Sequence, residues 1–203
     1  RVRSSAASDV YKRQFQSYNY RLYWSGQLVS FMGTWMQRVG QAWLVLQLTH
    51  SAIALGTVTA LQTLPVLFFT LFAGVIVDRV PKHRLLLVTQ SAALVQAFVL
   101  AALTMAGHIQ VWQIDVLALV LGMINAFDNP TRQTFVTELV PEHSVINAVS
   151  LNSAQMNASR LLGPALGGVV VSALGPGVCF LVNAVSFLAT MLTLVLMRPD
   201  QFY

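Results

Sequence analysis

Charged side chains are scarce in this sequence. Only 9% of its 203 residues are Asp, Glu, Lys or Arg, whereas 56% are hydrophobic and the mean hydropathy is +0.64. A soluble domain carries roughly 25% charged residues and could not keep this much apolar surface away from water. Several uncharged apolar runs approach or exceed the roughly 18–20 residues that cross the hydrocarbon core of a bilayer. The composition therefore predicts an integral membrane protein surrounded by lipid.

Cysteine is almost absent as well. The single Cys179 excludes an internal disulfide framework and a CxxC-type metal site. The sequence contains no HExxH motif, no carboxylate pair at membrane depth and no phosphate-binding glycine loop. No cofactor or metal is expected, and a membrane-embedded enzyme becomes the weakest functional alternative. Four histidines are predicted to lie in turns or loops: His50, His83, His108 and His143.

Six apolar stretches separated by turn signals predict six membrane-spanning helices. A polar segment at residues 128–147, which contains DNPTRQ and ELVPEH, is predicted to be partly helical along the membrane surface. Pro65 could kink the second span, and Asp115 lies in the first turn of the fourth. The predicted spans are residues 22–48, 53–77, 85–106, 112 to at least 127, 148–174 and 178–197.

The first fourteen residues, RVRSSAASDVYKRQ, differ in composition from everything that follows. They lack the apolar core of 7–15 residues that a signal peptide contains. Residues 1–14 are therefore interpreted as a non-native or disordered leader, with a short basic cytoplasmic arm as the alternative. Residues 15–203 are predicted to form one six-helix transmembrane bundle.

Lysine and arginine lie on one side of the predicted topology. The turns near residues 49–52, 107–111 and 175–177 contain none, whereas both chain ends and the other two loops do. Because cytoplasmic loops are enriched in these residues, both termini are predicted to be cytoplasmic. The formal net charge of +5 follows this pattern, which argues against nucleic acid as a partner. The basic residues outside the leader and the span interiors are Arg21, Arg79, Lys82, Arg84, Arg132 and Arg198.

Two arginines interrupt the apolar runs. Arg38 and Arg160 each lie near the middle of a span, where an ionisable side chain is costly and is by default a functional candidate. Ser153 and Asn157 share a helix face with Arg160, and Asn125 is a polar residue of the fourth span. At 100° per residue, a polar stripe surrounds Arg38 on the first helix, formed by Gln27, Ser30, Thr34, Gln37 and Gln41.

These polar faces predict a water-filled cavity of positive potential that admits an anionic or strongly hydrogen-bonding organic solute. In the alternative interpretation, each arginine bonds a backbone carbonyl or a glutamine and braces the bundle.

A charged turn at residues 74–84, GVIVDRVPKHR, joins the second and third apolar runs. It resembles the G-x-x-x-D-R-x-G-R-[KR] loop between helices two and three of the major facilitator superfamily. Pro81 forbids helix continuation and stands where that family usually has glycine. A generic cytoplasmic turn is the alternative. The residues that carry the resemblance, and would form a conformational gate loop, are Gly74, Asp78, Arg79, Lys82 and Arg84.

The fifth apolar run contains the segment GPALGG. It resembles the G-x-x-x-G-P-x-x-G-G element of exporters in the same superfamily, with serine at the first glycine. Small residues let a neighbouring backbone approach closely, and proline bends the helix. An ordinary small-residue packing face is compatible with the same residues. They are Ser159, Gly163, Pro164, Gly167 and Gly168.

Asp128 and Arg132 are four residues apart and are predicted to form an exposed ion pair at the gate, next to the Asp78–Arg79 loop. An exposed pair of this kind contributes well under about 1 kcal/mol. The superfamily's fourth helix often bears an intramembrane arginine linked to proton coupling, whereas this one offers Asn125. No carboxylate lies at mid-membrane in the first, fourth or fifth span, which puts proton antiport in doubt.

The resemblance covers about residues 15–203 and is closest to the branch that contains the enterobactin (siderophore) exporter. It implies an all-α fold: the N-terminal half of a twelve-helix transporter, with a 3+3 inverted repeat and the C-terminal half absent. It also implies a secondary transporter of the bacterial inner membrane that exports a small organic solute, siderophore or drug-like, by alternating access. A non-transporting membrane scaffold or receptor is the alternative.

Overall fold

The computed structural model describes residues 17–198 together with residues 200 and 202. The leader predicted at residues 1–14 lies outside this part of the chain. The described residues form six α-helices and one short 3-10 helix at Glu142–Ser144. The α-helices are α1 (Tyr18–Thr49), α2 (Ala52–Arg79), α3 (Lys82–Met105), α4 (Val111–Glu138), α5 (Val145–Leu174) and α6 (Pro176–Val195).

The helices begin where the sequence offers a cap. Ser17 accepts a hydrogen bond from the amide of Tyr20 at the start of α1, and Ser51 caps α2 in the same way. Between α5 and α6, Gly175 has a φ of 85°, which a residue with a side chain rarely adopts. Pro176 then occupies the first position of α6, where its missing amide hydrogen costs nothing.

The fourth helix differs from the prediction. Residues 128–138, expected on the membrane surface, continue α4 through Pro130 as part of the bundle. Thr131 donates a hydrogen bond of 2.6 Å to the carbonyl of Phe127, and Thr134 donates one of 3.0 Å to that of Pro130. Pro130 cannot donate an amide hydrogen bond to the carbonyl of Ala126, and the two threonines add side-chain bonds to neighbouring carbonyls of the same continuous helix. The buried ring of Phe135 then anchors the added turns in the core.

The prediction that His83 lies in a turn or loop is also wrong. It lies in the first turns of α3 rather than in a loop, and it is half-buried. Its Nε2 is 2.8 Å from the carbonyl oxygen of Leu194, and its ring packs against Phe135 and Phe202. This histidine therefore joins α3 to the end of α6.

α1 is the central helix of the bundle, because it packs extensively against both α5 and α6. On its other sides α2 packs against α4, and α3 packs against α4 and α6. The α2–α4 contact is close. A Cβ placed on Gly122 would lie 2.8 Å from the carbonyl oxygens of Leu61 and Gln62, so only glycine allows the two backbones to approach to this distance.

Two larger apolar clusters lie at opposite ends of the bundle, and a smaller one lies between α3 and α6. One cluster gathers Tyr20, Leu86, Phe135 and Leu194, at the start of α1 and α3 and the end of α4 and α6. The other gathers Val45, Leu100, Ile114 and Phe180 at the opposite end, among further residues. Polar side chains occupy much of the space between the clusters.

Among the described residues, four helices are long and apolar enough to cross a membrane, namely α2, α3, α4 and α6. Large apolar side chains cover their outer surfaces. Leu67, Phe68 and Leu71 on α2, for example, are more than half exposed. Such a surface is stable only in lipid, so the chain is an integral membrane protein. α1 and α5 are less apolar, because each carries several amide side chains and an arginine.

Candidate solute cavity

The polar residues of α1 lie in two different environments. Gln27, Ser30 and Gln37 are almost completely buried between helices. Thr34 and Arg38 instead line cavities, and Arg38 is exposed. Because α1 has neighbours on several sides, one part of its polar face packs against other helices and another part borders the cavities.

One cavity, of about 400 Å³, lies between α1, α2 and α4. Its polar lining comes from all three helices. Gln41 is buried at its edge and accepts a hydrogen bond of 2.9 Å from Gln62. The polar residues that line this cavity are Arg38, Gln41, Thr59, Gln62, Thr63, Asn125 and Asn129.

A second cavity, of about 310 Å³, lies mainly between α1, α4 and α5. It shares Arg38, Asn125 and Asn129 with the first, so the two cavities adjoin along α4. Its floor includes the paired residues Asp128 and Arg132. The α5 side is formed by Asn152 and Met156, whereas the predicted Ser153, Asn157 and Arg160 are exposed and are absent from the lining of both cavities.

Trp35 brings Arg38 and Arg160 together. The guanidinium carbon of Arg38 lies 4.5 Å from the centre of the Trp35 ring, and that of Arg160 lies 5.6 Å from it. Both distances allow a cation–π interaction. Trp35 itself lines the second cavity. Its position three residues before Arg38 places it on the same helix face, a signal from which the sequence could have predicted its role.

The glycines of α5 set this geometry. A Cβ on Gly163 would lie 2.5 Å from the Cβ of Trp35, and one on Gly167 would lie 3.1 Å from the Cα of Met36. Ser159 is fully buried on the same helix. Gly168, by contrast, meets no other atom of this chain within 4 Å. Pro164 is half-buried and α5 continues through it.

A buried amide network joins α1, α3 and α6. Asn183 donates a hydrogen bond of 2.8 Å to Oε1 of Gln37, whose Nε2 lies 3.4 Å from Oε1 of Gln96. Gln96 in turn donates to the carbonyl of Leu117 on α4. These bonds fix the depth of α1 relative to its neighbours. Gln96 and Asn183 were not predicted, since nothing in their local sequence distinguishes them from exposed amides.

Asp128 and Arg132 form a buried ion pair, which corrects the predicted exposed one. Asp128 is 4% exposed and Arg132 is 7% exposed. Asp128 Oδ1 accepts hydrogen bonds of 2.6 Å from Thr89 and 2.8 Å from Gln90, both on α3. The Arg132 guanidinium also lies over the ring of Phe31, with its carbon 5.3 Å from the ring centre. The pair therefore ties α4 to α3 and α1.

The charged turn between α2 and α3 makes a different contact from the one predicted. Lys82 Nζ lies 2.6 Å from Glu138 Oε1, which joins the start of α3 to the end of α4. Asp78, Arg79 and Arg84 are exposed, and in the described part of the chain no ion pair connects them to Asp128 or Arg132. A Cβ on Gly74 would meet only open space.

Across the described residues, no group of three or more His, Cys, Asp or Glu side chains could hold a metal ion. The polar groups that line the two cavities or contact their lining are amides, hydroxyls, an indole and guanidinium groups. Such groups can form hydrogen bonds to a bound molecule and orient it.

A family model described as transmembrane secretion effector, from the major facilitator superfamily (MFS), matches residues 13–202. The chain is 32% identical over 178 residues to the staphyloferrin A transporter of Staphylococcus aureus, covering 87% of this chain and 45% of that protein. It is 27% identical over 179 residues to the multidrug efflux pump Tap of Mycolicibacterium fortuitum, covering 85% and 44%. The uncharacterized MFS-type transporter YfiS of Bacillus subtilis is 26% identical over 182 residues. The chain spans less than half the length of these relatives.

Proposed function

Because the chain belongs to the transmembrane secretion effector family of the major facilitator superfamily, we propose that it forms the N-terminal half of a secondary transporter. This half supplies part of a central cavity, and the transporter exports a small organic solute by alternating access. The solute is siderophore-like or drug-like, in keeping with the names of the two relatives, one a siderophore transporter and the other a multidrug pump.

The observation that carries this proposal is the position of Arg38. It lines both polar cavities, is exposed, and lies in the middle of the bundle. An arginine at this depth is too costly to be maintained by packing alone. A side chain that lines a cavity of roughly the size of a small-ligand site is well placed to hold a solute.

In this proposal the bundle has six membrane spans, arranged as a 3+3 inverted repeat. Both chain ends lie on the cytoplasmic side of a bacterial inner membrane. α1 and α5 serve as the two less apolar spans. Their polar residues would face the cavity and the second half of the transporter, so a strong lipid-facing signal is not required of them.

The charged turn and its partners form the proposed cytoplasmic gate. The Lys82–Glu138 pair joins α3 to α4 at this end. The exposed Asp78 and Arg79 are free to pair with the other half in one of its conformations. A network that forms in only one conformation biases the equilibrium between the two.

The test is transport by the full-length protein in liposomes, with radiolabelled siderophores and drugs, with and without an ion gradient. Arg38→Gln is expected to slow movement of the transported solute about tenfold or more, because a charge-assisted hydrogen bond is lost. Arg21→Gln, at the exposed end of the same helix, is the matched control and should leave the rate unchanged. A full-length protein that moves no member of the panel under any gradient contradicts the proposal.

A further inference from the structure

The two arginines that meet at Trp35 point to the class of solute. Resting on the transporter function proposed above, we propose that the solute carries two separated acidic groups, one bound by Arg38 on α1 and the other by Arg160 on α5. An apolar or aromatic body between the two groups would lie near the Trp35 indole. The solute would thus bridge two helices that otherwise face each other with like charges.

The charges around the cavities are not balanced by the protein. Asp128 is the only carboxylate in the cavity linings of the described chain, and its charge is already opposed by Arg132. No carboxylate lies within ion-pair distance of Arg38 or Arg160 among the described residues. Within the described part of the chain, the two guanidinium groups therefore have only the Trp35 ring as a partner.

The other acidic side chains in the described part of the chain lie elsewhere. Glu138 is paired with Lys82, and Asp115 belongs to the far end of α4. Asp78 is exposed on the charged turn, Glu142 lies in the 3-10 helix, and Asp200 follows α6. None of them lines the second cavity. A counter-charge must therefore come from outside this bundle.

Arg160 extends the cavity-lining face of α5. Asn152 and Met156 line the second cavity, and Arg160 follows at the next interval of four residues. Side chains spaced by four lie along one face of a helix. Because the Arg160 guanidinium contacts the Trp35 ring, it lies on the side of α5 that faces α1. Arg160 lines neither cavity itself, but it meets Arg38 at Trp35, which borders the second cavity, while belonging to a different helix.

The chemistry favours a dianion over a monoanion or a cation. Guanidinium groups that stack on an aromatic face keep their N–H edges available, and these edges match a carboxylate in a bidentate arrangement. A single carboxylate would pair with one arginine and leave the other without a counter-charge. A cation would add to the repulsion. A dianion compensates both charges at once.

The experiment measures binding to the purified full-length protein by calorimetry at constant ionic strength. The probes are succinate, adipate and terephthalate, the monoacids butyrate and benzoate, and the cation benzyltrimethylammonium. The inference predicts that at least one dicarboxylate binds about tenfold or more tightly than the monoacids, and that the cation binds most weakly. Arg38→Gln and Arg160→Gln should each bring the dicarboxylate affinity down to the monoacid level.

The variants have matched controls. Arg21→Gln should keep the preference for the dicarboxylate. Arg38→Lys and Arg160→Lys keep the positive charge but lose the planar edge that binds a carboxylate through two hydrogen bonds. They should therefore keep part of the preference for dicarboxylates. If a glutamine variant does not fold, the lysine variant at the same position takes its place. A wild-type protein that binds monoacids as tightly as every dicarboxylate, or prefers the cation, overturns the inference.

The two proposals fail in different ways. If the liposomes move a cationic or neutral solute and neither glutamine variant slows it, the dianion inference is overturned and the transporter function stands. If no solute moves and no probe binds, both are overturned. Dicarboxylate binding that depends on both arginines supports the inference whether or not the coupling ion is known.

Discussion

The arginines of the bundle occupy three different electrostatic settings. Arg132 is buried and neutralised by Asp128, Arg38 is exposed in a cavity, and Arg160 reaches Trp35 from a neighbouring helix. A buried pair must stay intact to keep the fold, whereas a cavity arginine can exchange partners. The same kind of side chain therefore stabilises the fold in one place and, in the proposed function, binds the solute in the other.

Removing the carboxylate of the buried pair should destabilise the fold. Asp128→Asn leaves the Arg132 charge unpaired at a site that is 7% exposed, which is expected to cost about 3 kcal/mol of unfolding free energy. Denaturant titration in detergent measures the change. Asp78→Asn, on the exposed turn, is the control and should shift stability by less than about 0.5 kcal/mol. Equal effects of the two substitutions would contradict the buried position of the pair.

A single residue could be singled out from the sequence where its charged side chain interrupts an apolar run. Arg38 and Arg160 stood out because apolar sequence surrounds them. Gln96 and Asn183 did not, since an amide inside an apolar helix gives no sign of whether another helix will satisfy it. Glu138 was overlooked because its partner Lys82 is distant in sequence, and only the packing of α3 against α4 brings the two together.

At the level of helices, the contact between α1 and α5 controls the geometry of the site. Gly163 and Gly167 let α5 approach the backbone of α1 closely enough for Arg160 to reach Trp35. A bulkier residue at either position would separate the two arginines.

Gly163→Ala should therefore be harmful, although alanine favours helices. Its Cβ would overlap that of Trp35, and overpacking of this kind costs about 1–3 kcal/mol. Gly168→Ala on the same helix meets no atom of this chain and should be neutral or stabilise by up to about 1 kcal/mol. Thermal unfolding of both variants measures the difference. A Gly163 variant as stable as the Gly168 variant would argue against the close contact.

Helix positions were predicted well because apolar runs are bounded by caps and turn residues. The predicted residues 22–48 and 53–77 became α1 and α2 with changes of a few residues at each end. The end of α4 was wrong because Pro130 and its polar neighbours look like a break in sequence. Only the tertiary fold shows that the helix continues through the proline, with Phe135 packed in the core, and that α3 covers the charge of Asp128.

At the scale of the whole molecule, a polar middle lies between two apolar ends. Short motifs indicated the family and therefore the general fold. They could not show which side chains share a cavity, since this depends on contacts between helices far apart in sequence. The paired cavities around Arg38 emerge only when α1, α2, α4 and α5 are assembled.

Cysteine accessibility tests the central claim, a wet and positively charged cavity in the bundle. Thr34→Cys and Asn125→Cys on the cavity, and Val95→Cys on the apolar outer face of α3, are introduced into full-length protein without other cysteines, Cys179 included. Each variant is treated with the anionic sulfonatoethyl and the cationic trimethylammonioethyl methanethiosulfonate. The two cavity variants should react about tenfold or more faster than the Val95 variant and should prefer the anionic reagent. Equal reaction at all three positions, or a preference for the cationic reagent in the cavity, would contradict the account.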